Sequence, residues 1–125
     1  MKTVHTEHAP QAIGPYAQAT VGGGFVWCSG QVAIVPETGK MLVGDVQAET
    51  RQALTNLAAV LDAAGSSLEN VLRCTVYLKD MNDFKAMNEV YGTFFSAHKP
   101  ARAAIEIARL PLDAKVEISC VALAS

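Results

Sequence analysis

Arg102 and Glu117 carry the chemistry most easily read from this chain. Arg102 stands in the run Pro100-Ala101-Arg102-Ala103-Ala104-Ile105-Glu106-Ile107, where small alanines leave room for a ligand to approach the guanidinium. An arginine fixed on a rigid strand is a clamp for a small carboxylate, because its planar fork of donors matches the two oxygens. The other reading of Arg102 is an ordinary surface charge. Alternation puts Ala103, Ile105 and Ile107 on one face and Arg102, Ala104 and Glu106 on the other. Glu117, between Val116 and Ile118, likewise faces away from the apolar side. If the last two strands pair as a hairpin that matches Ile105 with Ile118, Glu117 lies opposite Glu106. It is then about four residues, roughly 13 Å, from the position facing Arg102. A direct salt bridge within such a hairpin is excluded, so either the strands are not simple neighbours or the two groups reach one cleft from different directions.

Tyr16 follows Gly14-Pro15, a turn that gives it a stiff support. It is either a presented pocket residue or a core aromatic with its hydroxyl at the rim. Ser29 and Gly30 end a strand in Cys28-Ser29-Gly30-Gln31, without the G-x-S-x-G elbow of a serine hydrolase. Gly22-Gly23-Gly24 reads as a hairpin turn and not a phosphate loop, since no helix follows it. Cys28, Cys74 and Cys120 are far apart and lie in strand-like runs, which predicts buried structural thiols. His5, His8 and His98 lack metal-ligand spacing, so no metal site is expected.

The elements that position these residues follow from periodicity. Strands are expected at Thr3–Thr6, Ala17–Val21 and Phe25–Cys28, and Gly39 closes a further turn. Asp45 caps a helix with apolar residues at Ala48, Leu54, Leu57, Ala58, Leu61 and Ala64, and Gly65 stops it. Arg51, Gln52, Asn56 and Asp62 mark its other sides. A strand over Val71–Lys79 sets Leu72, Cys74, Val76 and Leu78 against Val71, Arg73, Thr75, Tyr77 and Lys79. Asn82 or Asp83 caps a second helix with Phe84, Met87, Tyr91, Phe94 and Phe95 on its apolar face and Asn88 on the flank. Two strands follow Pro100. The order β-β-β-α-β-α-β-β predicts an α+β two-layer sandwich, a mixed sheet with both helices on one face. Apolar residues on both sides of several strands predict that the other face is buried in a homo-oligomer.

The 125 residues are expected to form one domain, with 50% hydrophobic and 18% charged residues as in a soluble protein. No apolar stretch is long enough to cross a bilayer, and the start lacks a secretory h-region, so a protein of the cytoplasm or a matrix-like compartment is expected, the cytoplasm first. Ten Lys and Arg against twelve acids give a net charge of −2, which offers nucleic acid no electrostatic help.

Five segments together resemble the RidA/YjgF family of reactive-intermediate deaminases: Ala12-Ile13-Gly14-Pro15-Tyr16, Ser29-Gly30-Gln31, Asn82-Asp83-Phe84, Pro100-Ala101-Arg102, and Ala108-Arg109-Leu110-Pro111 through Glu117-Ile118. The resemblance implies a chorismate-mutase-like homotrimer with ligand sites between subunits. It implies hydrolysis of 2-imino or enamine acids, such as 2-iminobutanoate and 2-iminopropanoate, to 2-keto acids and ammonia, without metal or other cofactor. Arg102 matches the carboxylate-binding arginine and Glu117 a pocket position, from which it is expected to position or activate the attacking water and move protons to nitrogen. Tyr16, Ser29 and Gly30 match pocket positions, with Asn88 carried over from the second helix. Ala104 stands where some members have Cys. Two other functions stay open: an endoribonuclease or translation inhibitor acting on single-stranded RNA, and a non-catalytic binder of small 2-keto acids.

Overall fold

Apolar side chains recur at every second residue in Val116-Glu117-Ile118-Ser119-Cys120-Val121-Ala122, and each of Val116, Ile118, Cys120 and Ala122 is buried. Such a strand needs partners on both edges and a cover on one face. The computed structural model, which describes residues 1–125, supplies both. Its strands are β1 (Lys2–Val4), β2 (Ala19–Gly22), β3 (Phe25–Gln31), β4 (Ile34–Val35), β5 (Lys40–Met41), β6 (Val71–Leu78), β7 (Ala101–Glu106) and β8 (Val116–Leu123). Six of them form a mixed sheet in the order β1-β2-β3-β8-β6-β7, and β4 and β5 form a separate small hairpin. Helices α1 (Val46–Ala63) and α2 (Phe84–Phe94) pack against each other, and α1 lies on β3 and β8.

β7 pairs in parallel with β6, with Arg102 opposite Cys74, and β8 pairs antiparallel with the other edge of β6. The last two strands are therefore not a hairpin: β6 lies between them. The expected match of Ile105 with Ile118 is replaced by Ile105–Tyr77–Glu117 and Ala104–Val76–Ile118 across three strands. A one-residue shift of phase follows, and it moves Arg102 to the face that the helices cover.

The expected helix boundaries agree with the observed ones because their end signals are chemical. Asp45 accepts a hydrogen bond from the Ala48 amide at 2.9 Å. Gly65, at φ +78°, takes the left-handed conformation that lets its own amide and that of Ser66 close on Asp62 and Leu61. Leu54, Leu57 and Leu61 are fully buried, each contributing about 1.5–3 kcal/mol of hydrophobic stabilisation. Asn56 corrects the expected polar side of α1. It is buried, donates to the carbonyls of Val32 (3.1 Å) and Ile34 (2.9 Å), and accepts from Gln52 at 2.9 Å. A polar side chain with every partner satisfied can occupy a core position.

On β6 the buried set is Val71, Cys74, Val76 and Leu78, whereas Leu72 is exposed. An irregularity in the β6–β8 register between Val71 and Arg73 shifts the phase there. On α2 the buried residues are Met87, Val90 and Tyr91, followed by Phe95, with Phe84 and Phe94 at the margin. The sheet face away from the helices carries Trp27 and Ile105, each about half exposed.

Candidate functional site

Arg102 is held, and it is held by α2. Phe84, Asn88 and Tyr91 fall at helical spacing on one stripe of that helix and meet the guanidinium together. Its carbon lies 5.3 Å from the Phe84 ring centre and 4.7 Å from that of Tyr91, and Nη1 donates to Asn88 Oδ1 at 2.6 Å. Two ring faces and an amide oxygen orient a charge that would otherwise sample many rotamers. Glu106, four residues along the same strand, accepts from the Met81 amide at 2.8 Å and so ties β7 to the turn that leads into α2. The cleft beside Arg102, about 410 Å³, is lined by Asn88, Tyr91, Gly92, Phe95, Lys99 and Pro100 as well. Ala104 sits two residues on, on the same face, packed against the core.

Glu117 occupies a different cleft, of about 510 Å³, with Tyr16, Ser29, Gly30 and Gln31 among its walls. Its position is fixed from behind. Glu49 of α1 is buried, accepts from the Lys115 amide at 2.9 Å, and sits 3.5 Å from Lys115 Nζ, two residues before Glu117. Gly30 fixes it from the side: a Cβ there would stand 2.8 Å from Glu117 Cδ, so only glycine lets the carboxylate lie across β3. Burial pushes the Glu117 carboxyl above the usual carboxylate range, and no cation of the chain lies within ion-pair distance to offset it.

Ser29 donates its hydroxyl to the Ala17 carbonyl at 2.6 Å, and its amide donates to the Gln18 carbonyl. It thereby anchors the segment that carries Tyr16. Gln18 is buried and bonds Thr6 and Pro10, which holds the N-terminal stretch against the cleft. Tyr16 itself is half exposed at the rim, its amide closing a tight turn onto the Gly14 carbonyl. The core alternative for Tyr16 is thus excluded.

Tyr16, Ser29, Gly30 and Glu117 come together; Arg102 and Asn88 come together; the two groups do not meet within one chain. Phe84 and Tyr91 were legible as an apolar face but not as the holders of Arg102. Their spacing around Asn88 is the signal, once a cation is known to lie beneath. Lys99, Ile13 and Leu112 also line the clefts and were not among the expected site residues, although Ile13 and Leu112 lie within the segments that carry the resemblance.

The three thiols form a row across the sheet, since Cys28 pairs with Cys120 and Cys120 with Cys74, and Arg102 continues the row. All three are free and buried. Burial raises Cys74; the neighbouring Cys28 thiol, then burial, raises Cys120. Protonated, enclosed thiols of this kind are unreactive. Tyr91 is raised as well, first by burial and then by Cys74. Its hydroxyl is buried with no well-formed hydrogen bond, the adjacent thiol being a weak partner.

A mixed sheet with two helices on one face, an arginine gripped by the second helix and a carboxylate seated on a glycine define one known class. Residues 6–124 match the family described as Endoribonuclease L-PSP, and the chain belongs to this RidA/YjgF family. It is 51% identical over 121 residues to a RutC family protein of Pyrococcus horikoshii, covering 97% of this chain and 96% of that protein. It is 44% identical over 125 residues to the 2-iminobutanoate/2-iminopropanoate deaminase of Escherichia coli K12, covering 98% and 97%. The crystal structure of E. coli TdcF with bound serine superposes with a TM-score of 0.94 at 42% identity, covering all of both chains. No helix of this chain is long and apolar enough to cross a membrane.

Proposed function

We propose that the chain, acting as one domain, hydrolyses 2-imino acids such as 2-iminobutanoate and 2-iminopropanoate to 2-keto acids and ammonia. Arg102 takes the substrate carboxylate bidentately and so orients the C=N carbon. Water adds to that carbon while Glu117 takes its proton and passes it to the imine nitrogen, which gives a carbinolamine. Glu117 then takes the hydroxyl proton and delivers it to nitrogen as C=O forms and the C–N bond breaks, and ammonia and the keto acid leave. Tyr16 and Ser29 line the imine end of the pocket. Imines hydrolyse unaided, so positioning and one proton shuttle suffice.

The observation that carries the reading is the split itself. Arg102 is pre-oriented by three groups of α2 and Glu117 is desolvated on a glycine seat, yet they lie in separate clefts of one chain. A substrate that needs both must bind between copies, one giving Arg102 and Asn88 and its neighbour giving Glu117, Tyr16, Ser29 and Gly30. The exposed apolar face with Trp27 and Ile105 suits such packing, and a homotrimer closes it symmetrically. The serine bound by TdcF supports a small amino-acid-like carboxylate as the ligand class.

The test is a coupled assay in which a PLP-dependent dehydratase generates the imines in situ and keto acid release is followed with and without this protein. No acceleration over the spontaneous rate overturns the reading. Mixing Arg102→Ala with Glu117→Gln subunits tests the shared site, because hybrids regain intact clefts that neither parent has.

A further inference from the structure

The rim of the Glu117 cleft contains the one feature of the backbone that its turn chemistry does not explain. Leu112 and Asp113 are the only non-glycine residues with positive φ, at +56° and +54°. A leucine in the left-handed region is sterically disfavoured. Such strain persists where the surrounding structure over-determines it. Burial is no compensation here, because Leu112 is 64% exposed. Pro111 precedes it and lines the same cleft, so the side chain is carried over the opening on a stiff turn. Facing the same cleft from the N-terminal segment is Ile13, 84% exposed and placed by the Gly14 turn, with Gly14 at φ +119°.

On the single chain two aliphatic side chains are thus exposed at the mouth of a cleft that also has Val32, Ile34 and Pro10 in its walls. The cleft measures about 510 Å³ on one chain, within the range of about 300–1,000 Å³ that ligand pockets span, so it has room for an aliphatic tail. We propose that Ile13 and Leu112 are specificity-determining residues that select 2-imino acids with larger aliphatic side chains, such as the imine of leucine, over the imine of alanine. The inference rests on the deaminase reading for its reaction and on the rim geometry for its selectivity. The polar end of the substrate stays with Glu117 and the Arg102 clamp, while the aliphatic tail covers the exposed surface of Leu112 and Ile13. Removing both from water is the term that grows with tail length.

Two measurements test it on the full chain. The first is binding of the product-like keto acids pyruvate and 4-methyl-2-oxopentanoate by calorimetry. The wild type should bind the longer acid at least about 10-fold more tightly, the scale of one or more buried methylenes. Leu112→Gly, which suits the positive φ and so preserves the turn, should lose most of that advantage, as should Ile13→Ser. The readout is the ratio of the two affinities within each protein, which a general loss of binding leaves unmoved. The second is kcat/KM on the imines of leucine and alanine generated by an amino-acid oxidase, where the same ratio should collapse in the variants. Equal affinity of the wild type for the two acids, or a ratio unmoved in both variants, overturns the inference. A preserved binding preference without turnover of either imine leaves the selectivity standing and removes the deaminase reading instead.

Discussion

Arg102 and Glu117 project from opposite faces of the same sheet. Their register partners on the strand between them are Cys74 and Tyr77, three positions apart, and an odd separation along a strand reverses the face. Arg102 therefore lies with the helices and Glu117 on the side that they leave open. Every functional expectation for this chain has to be consistent with that separation.

Arg102→Ala should reduce deaminase activity by at least about 100-fold, the scale of a lost bidentate charge-assisted pair. The thermal midpoint should change little. Arg102→Lys should recover only part of the loss, because an ammonium cannot make the planar fork. Steady-state kinetics beside a melting curve separate the two effects.

The pH dependence has a definite sign. Burial raises the Glu117 carboxyl in the folded chain above its value of 4.5 in the unfolded one. Under the proposed mechanism, in which Glu117 carries the proton, the acid limb of kcat should lie above pH 4.5. The folded state binds the extra proton in this window, so stability falls as pH rises through it. Glu117→Gln should abolish the acid limb together with turnover, keep ligand binding, and be no less stable than wild type at neutral pH. A rise in stability from pH 4.5 upward that vanishes in this variant would contradict the assigned direction.

Gly30→Ala should act on the carboxylate and not on the chain. The backbone conformation at Gly30 is one that alanine adopts, yet the new methyl collides with Glu117. Activity should drop while circular dichroism and assembly stay as in wild type, and a structure of the variant should show the Glu117 carboxylate displaced.

Asn56→Ala should destabilise the fold by about 1–3 kcal/mol, since it leaves the carbonyls of Val32 and Ile34 without their partner. Both residues also line the Glu117 cleft, so KM should rise alongside the loss seen in denaturant melts.

RNA cleavage gives a clean discriminant for the other function that the family's description names. If the ribonuclease activity belongs to this chain, it should disappear with Arg102→Ala at the purity that removes deaminase activity. Cleavage that persists in that variant belongs to a contaminant.

Much of this was legible in the residues. Asp45 and Gly65 marked α1 because capping and positive φ are local chemistry, and the glycine run at Gly22–Gly24 marked the β2–β3 turn for the same reason. The residues Arg102, Asn88, Tyr16, Ser29, Gly30 and Glu117 all line the two clefts, whereas Ala104 packs beside one of them. What sequence could not supply was non-local. The insertion of β6 between β7 and β8 is a choice of partner that alternation does not encode, and it alone reversed the face of Arg102. The burial of Asn56 depends on carbonyls more than twenty residues away. The short pair β4 and β5 offered too few residues for a period to be seen beyond the turn at Gly39.

The position of β8 has a consequence for how the sheet comes into being. β3 and β6 each touch β8 and do not touch each other, so without β8 the sheet is two disconnected pieces, β1-β2-β3 and β6-β7. The strand that carries Glu117 is the keystone, and it follows all the others in the chain. A break within Val116–Leu123 divides the sheet, leaving only the helices to join its two pieces, at the same stroke as it removes the carboxylate.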